Sequence, residues 1–304
     1  MSFIPQEVWH WQIAAYLFLG GLGGAVFALS ALIHIFTQCD RKMLSIAVVS
    51  SMGFLGIGSI FLLADMLQPM KAYLALTNPT SWIFWGVIFI NGYFALATVY
   101  LIPLLEEWPV LKPIIQKLPA WLLGLLERVN RLAALGGATM GFLVAIYTGL
   151  LISGAPGISF WNTPAMPLLF VVSAFSTGAA YLMFLSSFSP SEAVHKIHDF
   201  LEKLDAALIV LELIILGAYF NFAFFLPTGA RVSAQLLFKS PVFIVGFLIG
   251  GLIIPLLIES YSIFIRKEKP LGSKLIVTAS ILVLIGGFLL RYFVLHVGVY
   301  QYPW

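Results

Sequence analysis

Eight side chains of this 304-residue chain combine hydrogen-bonding or proton-exchanging chemistry with strongly apolar surroundings: His10, Gln12, Tyr16, Asp65, Ser81, Tyr147, Glu212 and Arg291. Three of them fall in one short run, WHWQIAAYLFLGGLGGA at 9–25. Imidazole, carboxamide and phenol groups donate or accept hydrogen bonds. A neighbouring carboxylate exchanges protons with water. Ionisable residues inside apolar segments are costly and mark functional positions by default. Structural roles compete with that reading. Asp65 can pair with Lys71, Arg291 can lay its stem toward an interface, and Glu259 can lie among lipid headgroups. Glu212 has no obvious partner nearby in sequence.

These residues need elements to position them. The chain is 61% hydrophobic and 10% charged, against about 25% charged in a soluble domain. It reads as a polytopic membrane protein. A membrane span takes about 20 mostly apolar residues. Eight stretches qualify: 13–36, 43–66, 81–103, 131–153, 165–188, 204–226, 241–265 and 273–296. Backbone groups in lipid must be satisfied within a segment, so the spans are expected to be helices. No run shows the short alternating pattern of a barrel. The first apolar stretch lacks a basic leader and is long enough to span, so it is not expected to be a cleaved signal.

Basic residues set the orientation. Arg41, Lys42, Lys112, Lys117, Arg128, Arg131, Lys196, Lys203, Arg266, Lys267, Lys269 and Lys274 fall on one side, and Lys71, Arg231 and Lys239 on the other. Both termini are therefore expected outside. Residues 104–130, with Pro109, Pro113 and Pro119, read as a cytoplasmic linker. It would separate a first four-helix bundle (1–103 and 131–153) from a second (165–296). The expected fold class is an all-α membrane protein of eight transmembrane helices in two four-helix bundles. Trp9 and Trp11 suit an interfacial anchor. Glycines four apart, at Gly20/Gly24, Gly137/Gly141 and Gly246/Gly250, suit close helix packing. GGLGGA has no strand before it and is not a nucleotide loop.

With the termini outside, His10, Gln12, Tyr16, Asp65, Asn78, Ser81, Tyr147 and Arg291 converge on the outer half of the bilayer. Such a set could hold the head oxygens of a quinone and supply its protons, since quinone reduction takes up two. The histidines, His10, His34, His195, His198 and His296, lie at helix ends or in loops on two sides. Facing axial ligands for haem are therefore not expected. Cys39 is the one cysteine, and no spacing suggests a metal site.

The chain resembles the NrfD/PsrC family of polysulfide-reductase-type integral membrane subunits. The resemblance rests on the 9–24 run and on DMLQP at 65–69, NPTSW at 78–82 and YTGLL at 147–151. It continues through Trp161, PLLF at 167–170, 173–178, GGLIIP at 250–255 and 286–291. It implies two four-helix bundles without haem and a quinone bound near the outer face. It also implies a four-cluster ferredoxin-like iron–sulfur partner and a catalytic subunit, often a molybdopterin enzyme. In the polysulfide-reductase branch a His and an Asn of the first helix and a Tyr of the fourth hold the quinone. These positions fall on Tyr16, Ile13 and Tyr147. Two of the three differ in type, and His10 or Gln12 could compensate.

The expected function is thus a quinone-reactive membrane anchor of a respiratory oxidoreductase in a prokaryotic inner membrane. Tyr16, Tyr147 and His10 would hold a quinone of menaquinone or ubiquinone type, with Gln12 and Ser81 alongside. Asp65 would exchange protons with the outer water, and Glu212 and Arg291 would serve a proton path. No haem, metal or nucleic acid is expected. The alternatives are a secondary transporter or channel, and a purely structural anchor. Partner subunits would set the terminal substrate.

Overall fold

The computed structural model describes residues 2–37, 40–66, 68–188, 192–226, 228–266 and 273–302. Cys39, Lys267 and Lys269 lie outside the described residues, and the side chains of His195, Lys196 and Arg266 outside the described side chains. Strand β1 (Ser2–Pro5) leads into helix α1 (Trp11–Phe36). Then follow α2 (Arg41–Asp65), a 3-10 segment (Pro69–Thr77), α3 (Trp82–Leu104), short α4 (Lys112–Ile115) and α5 (Ala120–Ser153). The rest comprises α6 (Ala165–Ser186), α7 (Glu192–Phe225), α8 (Gly229–Lys239), a π-helical segment (Val242–Ile253), α9 (Ile254–Tyr261), a π turn (Ser262–Arg266), α10 (Ser273–His296) and strand β2 (Val299–Tyr302). Among the described residues, eight helical segments are long and apolar enough to cross a membrane. The chain is an integral membrane protein.

Helix α1 is the axis of the assembly. From Ile13 to Ala31 every residue except Phe18 and Leu19 is buried, as expected of a helix that is apolar all round. It packs against α2, α5, α6 and α10. Its glycine run lets them approach, and each glycine serves a different neighbour. A Cβ on Gly23 would meet the Ser51 carbonyl of α2 at 2.7 Å, and one on Gly24 would run into the Gly141 carbonyl of α5. On Gly21 it would meet the Ala174 Cβ of α6 at 3.2 Å. Gly20, expected at the seam, sits in ordinary contact at 3.7 Å. Around this axis α3 packs on α5 and α2, α6 on α7 and α10, and α9 on α7 and α10. The closest approach in the last spans is Gly251 against Gly286, where an added Cβ would meet Cα at 2.6 Å.

Several boundaries differ from the sequence expectation. α5 begins at Ala120 rather than 131, directly after Pro119, and α7 begins at Glu192 rather than 204. Both extra stretches carry charges (Glu127, Arg128, Glu202, Lys203), so an apolar-run criterion stops short of helix that continues beyond lipid depth. The 104–130 linker is accordingly half helical. The seventh span is π-helical on both sides of α9. Pro255 accounts for part of this, because it lacks an amide and disturbs the preceding turn. The remaining unexpected element is the terminal pair. β1 and β2 are antiparallel, Ser2 opposite Tyr302 and Pro5 opposite Val299. Gln6 fastens the pair, its Nε2 donating to the Leu295 and Trp9 carbonyls at 3.1 and 3.0 Å. The two ends of the chain therefore meet at one end of the helix assembly.

The α1–α5 contact leaves no room for a methyl group. Gly24→Ala or Gly141→Ala should destabilise the protein by about 1–3 kcal/mol through overpacking. Gly53→Ala and Gly124→Ala, where an added Cβ meets nothing within 4 Å, should stay close to wild type in thermal unfolding of the detergent-solubilised protein.

Candidate functional site

Gln12 and Tyr16 lie one turn apart on α1 and so share a face. Tyr16 is fully buried, with the Tyr147 hydroxyl of α5 beside its own. Neither Tyr16 Oη nor Gln12 Oε1 has a hydrogen-bond partner of good geometry. A buried polar group left unpaired costs about 1–3 kcal/mol. The two atoms lie one helical turn apart, next to the Tyr147 hydroxyl. Ile13, between Gln12 and Tyr16 on α1, is buried as well. Gly86 of α3 makes the space for Tyr147, since a Cβ there would run into the ring carbon Cζ.

A second cluster sits at the start of α1. His10 precedes the helix at its N-cap, and its Nδ1 lies 2.9 Å from Asp65 Oδ1 at the last residue of α2. Asp65 therefore pairs with His10 rather than with Lys71. His10 is largely exposed and Asp65 is not, with side-chain exposures of 62% and 11%. The pair thus links water to a half-enclosed carboxylate. His10 also borders a cavity of about 490 Å³ lined by Gln6, Trp9, Trp11, Tyr292 and His296. Ser81 caps α3, its hydroxyl accepting the Ile83 amide at 3.2 Å. Asn78 closes a turn by accepting from Thr80. These two residues order the entry to α3.

Arg291 does not snorkel. It is fully buried, donating Nη1 to Ser173 Oγ at 2.6 Å and to the Gly287 carbonyl at 2.9 Å, and Nη2 to the Phe170 carbonyl at 3.0 Å. Its guanidinium also stands over the Phe170 ring, 5.1 Å from the centroid. Glu212 of α7 provides the opposite charge, and Ser173 serves both. Nη2 lies 3.7 Å from where a Gly21 Cβ would stand. The Arg291 guanidinium therefore abuts α1 five residues along from Tyr16.

Sequence reasoning missed a further acidic group. Asp205 of α7 is fully buried and Glu259 of α9 only 2% exposed, and the two carboxyls are direct neighbours. Glu259 is thus not in a headgroup zone. The available signal was spacing, because His198, Glu202, Asp205 and Glu212 follow a three-four pattern along one helix face. Among the described residues, no group of three or more His, Cys, Asp or Glu side chains is placed to hold a metal ion.

Eight apolar spans among the described residues, with buried polar groups between them, define a polytopic helical membrane protein. The family described as "Polysulphide reductase, NrfD" matches residues 3–303, and the chain belongs to that family. Protein NrfD of Escherichia coli is 25% identical over 311 residues, covering 96% of this chain and 95% of the relative. A polysulfide reductase subunit from Wolinella succinogenes is 24% identical, covering 96% and 94%. A NrfD homolog of Haemophilus influenzae is 27% identical, covering 97% and 95%.

Glu212 is the carboxyl whose charge faces the buried Arg291 guanidinium, so removing it leaves that charge without its counter-charge. Glu212→Ala should lower stability by about 3–5 kcal/mol, read as a large drop in unfolding midpoint. Adding Arg291→Met should restore part of that loss.

Proposed function

We propose that this chain is the quinone-reactive membrane subunit of a multi-subunit respiratory oxidoreductase in a prokaryotic inner membrane. The observation that carries the proposal is the buried, unpaired pair Gln12 Oε1 and Tyr16 Oη beside the Tyr147 hydroxyl. The tyrosine hydroxyls would donate to the head oxygens of a menaquinone- or ubiquinone-type molecule, and Gln12 Oε1 would accept from the hydroxyl of its reduced, quinol form. A bound quinone supplies two-electron, two-proton chemistry that side chains lack. Tyr16 and Tyr147 orient it by donating hydrogen bonds, and Ile13 keeps one side dry. The end carrying the terminal pair faces outward, in keeping with the distribution of Lys and Arg. His10 and Asp65 then exchange protons with the water on that side. Electrons pass to or from a ferredoxin-like four-cluster iron–sulfur subunit, which serves a catalytic subunit of molybdopterin type. Glu212 and Arg291 form part of a proton path from the opposite side.

Tyr147→Phe removes one hydrogen bond without changing shape. It should cut quinone-linked turnover of the complex about tenfold, the equivalent of ~1.4 kcal/mol, and leave dye-linked activity intact. Gly86→Ala should do the same by displacing the Tyr147 ring. Unchanged quinone-linked rates in both variants would exclude this site. Glu212→Gln should abolish charge translocation in proteoliposomes while electron transfer continues. Translocation at the wild-type level would remove Glu212 from the path.

A further inference from the structure

Asp205 and Glu259 have a hydrogen-bonding problem that one proton solves. Asp205 Oδ1 accepts from the Ser176 hydroxyl at 2.5 Å. Asp205 Oδ2 and both Glu259 oxygens have no partner of good geometry. Ionised carboxylates only accept hydrogen bonds, so two of them side by side in a dry interior repel each other and leave lone pairs bare. Two carboxyls sharing a site relieve this by keeping a proton on one of them. Among the described residues the ion pairs are His10–Asp65 and Arg41–Glu107, and neither reaches this place. The groups that face the pair are Ser176 of α6, Glu202 and Glu212 of α7, and each other. Arg291 is directed at Glu212.

Two further observations give the pair a function. First, Glu259 stands on the short helix α9, between π-helical Val242–Ile253 and Ser262–Arg266. Widened turns inside helices are frequent at functional sites. Second, the pair lies within a polar seam between α6 and α7. At one end Ser186 Oγ lies 3.0 Å from His198 Nδ1. Glu202, 6% exposed, reaches Ser262 and has Asp199 and Lys203 nearby. Next come Glu259, Asp205 and Ser176, then Ser173 with Glu212 and Arg291. From His198 to Glu212 the seam runs about 21 Å along α7 at the α-helical rise, and it ends where Arg291 meets Gly21.

We propose that Asp205 and Glu259 share one exchangeable proton, bonded to one carboxyl and donated to the other, and form the proton-loading site of this seam. The proton enters past His198 and Glu202 and leaves toward Glu212. Its use at a quinone rests on the function proposed above, but its presence does not.

Infrared spectroscopy of the intact complex tests this directly. At neutral pH the wild type should show a carbonyl stretch of protonated carboxylic acid that shifts in deuterium oxide. The band should be lost in Asp205→Asn/Glu259→Gln and kept in Asp65→Asn. A wild-type spectrum without the band overturns the proposal, as does a band that survives the double variant. Disappearance of the band on adding sodium chloride alone would make this a cation site instead. If the variants fail to assemble, labelling of the wild-type complex with a hydrophobic carbodiimide, which couples to protonated carboxyls, decides by peptide mass mapping. An adduct on Asp205 or Glu259 supports the proposal, and adducts only elsewhere overturn it. Neither readout involves quinone. A complex that shows the proton but no quinone turnover removes the proposed function alone, and the opposite result removes only this inference.

Discussion

A helix enclosed by other helices must present backbone rather than side chains where they cross, and α1 is built on that constraint. Hydrophobic burial does little to hold helices together in lipid, so close van der Waals packing has to do more. Gly21, Gly23 and Gly24 face α6, α2 and α5 in turn, so a run of small residues becomes a junction of helices. Everything else depends on this closeness. It brings Tyr147 of α5 beside Tyr16 of α1, and the Arg291 guanidinium of α10 against Gly21. Bulkier side chains on α1 would separate the tyrosines and displace the Arg291 guanidinium from Gly21.

The polar groups solve the opposite problem. Arg291 is tolerable inside the protein because two carbonyls, one hydroxyl and one carboxylate surround it, and because Phe170 offers its ring face. Asp65 is tolerable because His10 covers it on the water side. Gln12 and Tyr16 are left incomplete, and so are Asp205 and Glu259. Arg291 Nε and Glu212 Oε1 are incomplete as well, so the buried polar groups of the interior are met only in part.

Much of this was legible in the residues alone. Eight apolar runs became eight membrane-length helices, and the motif order identified the family before any packing was known. The convergence of Tyr16 and Tyr147 followed from their depth in adjacent spans. What was not legible depended on contacts between distant segments. His10 finds Asp65 across 55 positions, which local reasoning replaced by nearby Lys71. Glu259 looked peripheral because its span is near the basic loop, yet the irregular seventh span turns it inward toward Asp205. Helix ends were misjudged where charge replaced apolarity, at Ala120 and Glu192, because a hydropathy criterion measures lipid depth and not helix length. Gly86 carried no signal of its own. Its significance comes from the ring of Tyr147.

The pairing of residues 2–5 with 299–302 has a consequence for biogenesis. Synthesis runs from the amino to the carboxyl end, so β1 emerges well before its partner strand. The two can zip together only after all eight spans between them have been threaded and have come to rest with an even number of crossings. The small sheet therefore joins segments made before and after the helical spans between them. A partner subunit that gripped this sheet would recognise finished molecules and ignore half-made ones, without any separate chaperone to tell them apart.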